Sequence, residues 1–138
     1  MANPSEKNLT GTAPVFLVRD IIKATAYYRD ILGFEFDKIW GCPPCFCMAG
    51  RDDITIMLSE APARFELKPN SSADAEGQSW SAYIWVNDAG HLFKEFKSKG
   101  ARIAYEPLIK EEYGMKEFAV RDLDGHVIAF GQDWPDTK

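Results

Sequence analysis

Apolar positions in this chain recur with two periods, and the changes from one to the other mark out its elements. "APVFLV" reads as a short strand, and Asp20 just after it can cap a helix by accepting from free backbone amides. In "DIIKATAYYRDIL", Ile21, Ala24, Tyr28 and Ile31 share one face of a 3.6-residue period, and Gly33 supplies a left-handed stop. Three strand candidates follow, "FEFDKIW", "CFCMAG" and "ITIMLS", with turn residues Gly41-Cys42-Pro43-Pro44 and Gly50-Arg51-Asp52-Asp53 between them.

Residues 60–79 change abruptly to Pro, Ser, Ala, Asp and Gly, the chemistry of a linker. The earlier pattern then returns. "WSAYIWV" is a strand, Asp88 a cap, and "AGHLFKEFKSK" a helix with Ala89, Leu92, Phe93 and Phe96 on one face. Gly100 stops it, and "ARIAYEP", "KEFAVRD" and "HVIAFG" are strands. Val18-Arg19-Asp20 aligns with Val86-Asn87-Asp88, and Gly33 with Gly100 at nearly the same offset, so the chain is an internal repeat. The expected architecture is α+β: two βαβββ modules in tandem, about 13–59 and 80–132, joined by linker 60–79 within a single domain over 1–138. One such unit leaves a sheet face bare. Two can form a curled mixed sheet around a cleft with the helices outside, a natural place for a ligand.

Composition narrows the function classes. With 138 residues, 46% hydrophobic and 27% charged, the chain is long and apolar enough to fold around a core. A net charge of -5 argues against nucleic acid, whose phosphates need a basic surface, and suits cationic small molecules better. No apolar run approaches the ~18 residues of a membrane helix. "MANPSEKNLTGT" lacks the basic start and apolar run of a secretory signal. Three clustered cysteines do not look like a disulfide framework, so the expected address is the cytoplasm.

Most chemically suggestive residues have bland readings. Cys42, Cys45 and Cys47 include a C-x-x-C spacing, but Pro43 and Pro44 point to a hairpin entering a strand, without the helix N-terminus that activates a redox pair or a fourth donor for zinc. His126 follows Gly125 in a turn and reads as a solvent-edge residue without partners; His91 reads as exposed on the second helix. Asp122 and Asp124 belong to a turn, and no pair of carboxylates is placed by spacing on strand faces. No phosphate loop, nucleophile elbow or serine–histidine arrangement stands out.

Two stretches, "VRDIIKATAYYRDILGFEF" and "YGMKEFAVRDLDGHVIAFG", carry a family resemblance. The chain resembles the vicinal-oxygen-chelate superfamily of glyoxalase I, extradiol dioxygenases, fosfomycin-resistance transferases and bleomycin-resistance proteins. The resemblance runs from Ala13 to Gln132. Metal-using members place a ligand, usually His or Glu, on the first and last strand of each module. Carried over by spacing, those positions are Ala13, Met57, Ser81 and Ala129, none of them an ordinary ligand for a divalent ion. The resemblance therefore leans to the metal-free bleomycin-resistance type, with no catalytic residue, no cofactor and a homodimer enclosing a small-molecule ligand. A glyoxalase-like lyase or dioxygenase relative working without those ligands, and a non-catalytic interaction domain, are the alternatives. If Ser81 faces the cleft, strand alternation brings Tyr83 and Trp85 with it, and Val15 and Leu17 follow Ala13. The expected ligand-binding set is Tyr83, Trp85, Met57, Trp40, Phe46 and Ser81, suited to a cationic or aromatic compound.

Overall fold

The carboxylate of Asp20 accepts from the amides of Ile22 and Lys23 at 3.0 and 3.1 Å, and Asp88 accepts from His91 at 2.9 Å; two helices start there, as the spacing predicts. The computed structural model describes residues 7–73 and 79–135. Its elements run β1 (Val15–Val18), α1 (Ile21–Asp30), β2 (Ile39–Trp40), β3 (Phe46–Arg51), β4 (Ile54–Glu60), a 3-10 turn (Asn70–Ala73), β5 (Ala82–Trp85), α2 (Ala89–Ser98), β6 (Arg102–Lys110), β7 (Met115–Arg121) and β8 (Val127–Asp133). Gly33 and Gly100, past the two helices, take φ of 75° and 84°, a region that side-chain-bearing residues avoid.

The four strands of each module form one sheet in the same spatial order, β1-β4-β3-β2 and β5-β8-β7-β6. In each, the first strand runs parallel to the last, and the later neighbours pair antiparallel. The repeat inferred from the caps is thus a repeat of topology. One expected strand is cut short: of "FEFDKIW", only Ile39 and Trp40 join the sheet, with an isolated bridge from Glu35 to Gly50. Phe34 is buried at 2%, so the start of that run serves the core instead of the ladder.

Alternation sorts each strand. Phe16 and Val18, Cys47 and Ala49, and Ile56 and Leu58 are buried on the helix side of the first sheet. Ile84, Phe118, Val120, Ile128 and Phe130 do the same in the second. These two sets, with Ile21, Tyr28 and Phe96 from the helices, make one continuous core. The rings of Phe96, Phe118 and Phe130 lie 5.3–6.0 Å apart within it. Because the helix-facing sides merge, the sheets stay open, and their other faces turn away from the shared core. No helix among the described residues is long and apolar enough to cross a membrane.

Polar contacts lock the modules together at the edges of this core. Tyr27 donates to the carbonyl of Arg121 at 2.8 Å and accepts from the amide of Arg102 at 3.0 Å. Arg51 makes a two-armed ion pair with Glu95 at 2.7 and 2.9 Å and donates to the Leu32 carbonyl. That guanidinium holds the Glu95 carboxyl below its usual range.

His126 overturns its expected reading as a partnerless edge residue. It is 8% exposed, its ring is stacked on Phe16 with centroids 4.6 Å apart, and its Nε2 lies 2.7 Å from the Leu17 carbonyl. The error came from treating the turn as solvent-facing: β1 of the other module lies against it, a contact between residues far apart in the chain. His126→Ala should lower unfolding free energy by about 1–3 kcal/mol, since it removes a buried ring and leaves the carbonyl without that donor. Urea titration measures this; an unchanged midpoint would show that the ring contributes no net stability. His91, by contrast, is exposed as expected.

Candidate functional site

The faces turned from the core are where unused chemistry collects. On the first sheet, Val15, Leu17, Met48 and Trp40 are exposed by 57%, 36%, 47% and 48%, a large apolar area for strand residues. Met57 sits among them, paired with Val15 on one side and Met48 on the other. Phe46 is half-buried and pairs with Trp40 across the ladder. On the second sheet, Ser81, Tyr83 and Trp85 alternate outward, and Trp85 is 71% exposed. The six expected ligand-binding residues therefore lie on outward faces, but on two different sheets.

A depression of about 470 Å³ lies where those sheets approach each other. Val15 and Leu17 line it from β1, Ser81 and His126 from the second module, and Phe65 and Leu67 from the connecting segment. Arg19 fixes that segment by donating to the carbonyl of Phe65 at 2.6 Å, while Ser71 donates to the Gly125 carbonyl. What reads as linker chemistry in the sequence is thus tied down on both sides. Its exposed Phe65 adds a ring to the depression that the alternation pattern did not flag.

The second sheet also holds a polar group that sequence reasoning missed. Glu117, on the outward side of β7, has no solvent exposure. Tyr83 and Tyr113 donate to its Oε1 at 3.0 and 2.6 Å, and Tyr105 donates to its Oε2 at 2.5 Å. Trp80 Nε1 donates in turn to the Tyr105 oxygen at 2.8 Å. Gly131, paired with both Glu117 and Trp85, makes room: a β-carbon there would overlap the Tyr83 hydroxyl and lie 2.7 Å from ring atom Cζ. Burial, reinforced by the Glu117 hydrogen bonds, pushes all three phenols well above their ordinary range. Alternation did carry a signal. "KEFAVRD" puts Glu117 opposite the buried side of Phe118 and Val120, on the same face as Tyr83.

The four positions implied for a metal do not fit a divalent ion. Ala13 precedes β1, Met57 lies on β4, Ser81 precedes β5, and Ala129 faces outward on β8 beside Tyr83 in the ladder. They offer two methyl groups, a thioether and one neutral hydroxyl, whereas Zn, Mn or Fe sites need imidazole, carboxylate or thiolate. Among the described residues no group of three His, Cys, Asp or Glu is placed to hold a metal. The cysteines form the expected turn and strand: Cys42 and Cys45 are exposed, Cys47 is buried, and burial raises its thiol pKa.

No curated protein matches the chain. Solved structures do. A bleomycin-binding protein from Streptomyces verticillus, complexed with copper(II)-bleomycin, is 25% identical, with a TM-score of 0.66 over 91% of this chain and 97% of its own. An antibiotic-binding protein from Streptomyces sp. CB03234, TnmS3, is 16% identical, with a TM-score of 0.65 over 93% and 99%. The fosfomycin resistance protein FosX from Listeria monocytogenes is 12% identical, with a TM-score of 0.64 over 92% and 96%. The two-module topology is shared with these structures, and a family model matches residues 12–130, so the chain belongs to the Glyoxalase/Bleomycin resistance protein/Dioxygenase superfamily.

Proposed function

We propose that this protein binds and sequesters a small aromatic or cationic molecule on its outward sheet faces, without a metal and without altering the molecule. The observation that carries this reading is the exposed apolar and aromatic surface of Val15, Leu17, Trp40, Met48 and Trp85, on strands whose opposite faces pack into the core. Apolar surface of that kind on a folded chain marks a binding or association face. The exposed outward face of the first sheet, with Trp85 exposed on the second, also suits a homodimer, in which each copy covers part of the other and encloses the ligand between them. The neighbour that binds bleomycin lends support to a ligand of that bulk.

The test is a thermal-shift panel of aromatic and cationic compounds that includes copper(II)-bleomycin, followed by mass spectrometry of the recovered compound. A true ligand at about 100 times its Kd should stabilise the fold by ~2.7 kcal/mol and come back unchanged. Chemically altered ligand would make the protein an enzyme, and no stabilisation by any compound would overturn the binding reading. Sedimentation in the same buffer should report twice the chain mass; a monomer would remove the dimer from the proposal.

Trp85 offers a sharper measurement. Trp85→Ala should weaken binding about tenfold or more, as truncation of an aromatic anchor does. Its effect on unfolding in the absence of ligand should stay within about 0.5 kcal/mol, because the side chain is mostly in solvent. Unchanged affinity would move the ligand off the second sheet.

A further inference from the structure

A carboxylate withdrawn from water is costly unless hydrogen bonds replace its hydration. Glu117 receives three, all from phenols, and this has a consequence for the surface above it. A phenol has one proton to give. Tyr83, Tyr105 and Tyr113 have each committed theirs to Glu117, so their oxygens can offer only lone pairs to anything else. The Tyr105 oxygen is already used by the indole N–H of Trp80. Among the described residues, no group donates to the oxygens of Tyr83 or Tyr113. Tyr113 is 45% exposed and Tyr83 is partly so.

The carboxylate behind these two phenols polarises them, which makes their oxygens stronger acceptors. Aromatic rings continue outward from them: Trp80 lies 4.8 Å and Trp85 5.7 Å from Tyr83, centroid to centroid. Ring faces attract cations as well. The geometry is also held in place, since only a glycine at 131 lets Tyr83 reach Glu117.

We infer that Tyr83 and Tyr113, backed by Glu117, receive an N–H-donating cationic group of the ligand, an ammonium, amidinium or guanidinium carried on an aromatic body. This rests on the proposed binding function and adds which group of the ligand is read and by which atoms. The oxygens reject carboxylates and other acceptor-only groups, which would meet lone pairs with lone pairs.

Four small probes separate the contributions: benzamidine, its neutral counterpart benzamide, phenyltrimethylammonium, which is cationic but has no N–H, and benzoate. Binding to the full-length protein is followed by tryptophan fluorescence. Benzamidine should bind about tenfold more tightly than benzamide and phenyltrimethylammonium, the scale of one charge-assisted hydrogen bond, and benzoate should bind worst. Tyr113→Phe keeps the ring and removes the oxygen; it should weaken benzamidine more than benzamide and so erase most of that preference. Glu117→Gln should erase it too, and if that variant fails to fold, Tyr113→Phe still decides.

Equal binding of benzamidine and benzamide, or a preference untouched by Tyr113→Phe, would overturn the assignment of the cationic group and leave the binding face standing. Binding of none of the four probes would also overturn it. Failure of the wider panel to stabilise the fold would remove the binding function beneath it.

Discussion

Asp122→Ala is expected to lower the unfolding free energy by about 3–5 kcal/mol, because three donors would lose their acceptor at a cost of about 1–3 kcal/mol for each one left buried and unsatisfied. Asp122 is 1% exposed and is the hub of the turn between β7 and β8. Its Oδ1 accepts from the amides of Asp124 and His126 at 2.9 Å, and its Oδ2 from the hydroxyl of Tyr28, also at 2.9 Å. Tyr28 belongs to α1 and has no solvent exposure, so alanine would strand a buried hydroxyl in the other module as well as two amides. Asp122→Asn keeps the shape and one acceptor oxygen and should cost only about 1 kcal/mol at neutral pH. Urea unfolding of the pair measures both numbers, and a loss below about 1 kcal/mol for alanine would show that the turn is held mainly by other contacts.

The same pair reports the sign of the charge energetics. Burial raises the Asp122 carboxyl above its ordinary value, against the pull of His126 and of the Tyr28 hydrogen bond. A raised acid holds its proton in the folded state after the unfolded chain has released it. Its contribution is therefore most favourable at acid pH and declines as pH rises from about 3.9, the unfolded value, through the folded one. The wild-type advantage over Asp122→Asn should accordingly be larger near the bottom of that window than at neutral pH. Other carboxylates titrate alike in both proteins and cancel. An advantage that grew toward neutral pH would mean that His126 and the hydrogen bonds outweigh burial.

How far the sequence announced all this depends on the range of the contacts involved. Caps at Asp20 and Asp88, stops at Gly33 and Gly100, and the alternation of "AYIW" and "ITIML" are local, and each is visible in a few consecutive residues. Repetition of those signals is what makes the two-module α+β fold legible. His126, Asp122 and Glu117 are different. Each looks ordinary in its own stretch and acquires its role from residues 94 and 109 positions away, as with Tyr28 and Leu17, or from a strand two places across the sheet, as with Tyr83, which reaches Glu117 over β8. The outward face was legible by parity once one position was anchored. That its carboxylate would be covered by phenols was not, because the close approach of Tyr83 depends on the missing side chain of Gly131, a contact across strands.

Above about pH 10, where free phenols ionise, the native protein should show almost no tyrosinate absorbance, and then acquire it in one step as it unfolds. Every one of the five tyrosines has its hydroxyl raised, and burial is the largest cause in each. For Tyr28 the negative Asp122 adds to burial, and for Tyr83, Tyr105 and Tyr113 the hydrogen bond to Glu117 does. A phenol that stays neutral when folded and ionises when unfolded makes stability fall with rising pH, by ~1.4 kcal/mol per pH unit once the unfolded value is passed. Tyr28, with no exposure, would carry that slope in full, and Tyr27 adds to it between the unfolded value and its own raised one. Tyr113 is too exposed to add its full share. A fold at the low end of ordinary stability, about 5 kcal/mol, is exhausted within a few such units, so ionisation and unfolding should coincide in absorbance and circular dichroism. Phenols titrating one by one near their ordinary value, with the circular dichroism unchanged, would show that neither the Glu117 cage nor the Tyr28–Asp122 contact is closed to water.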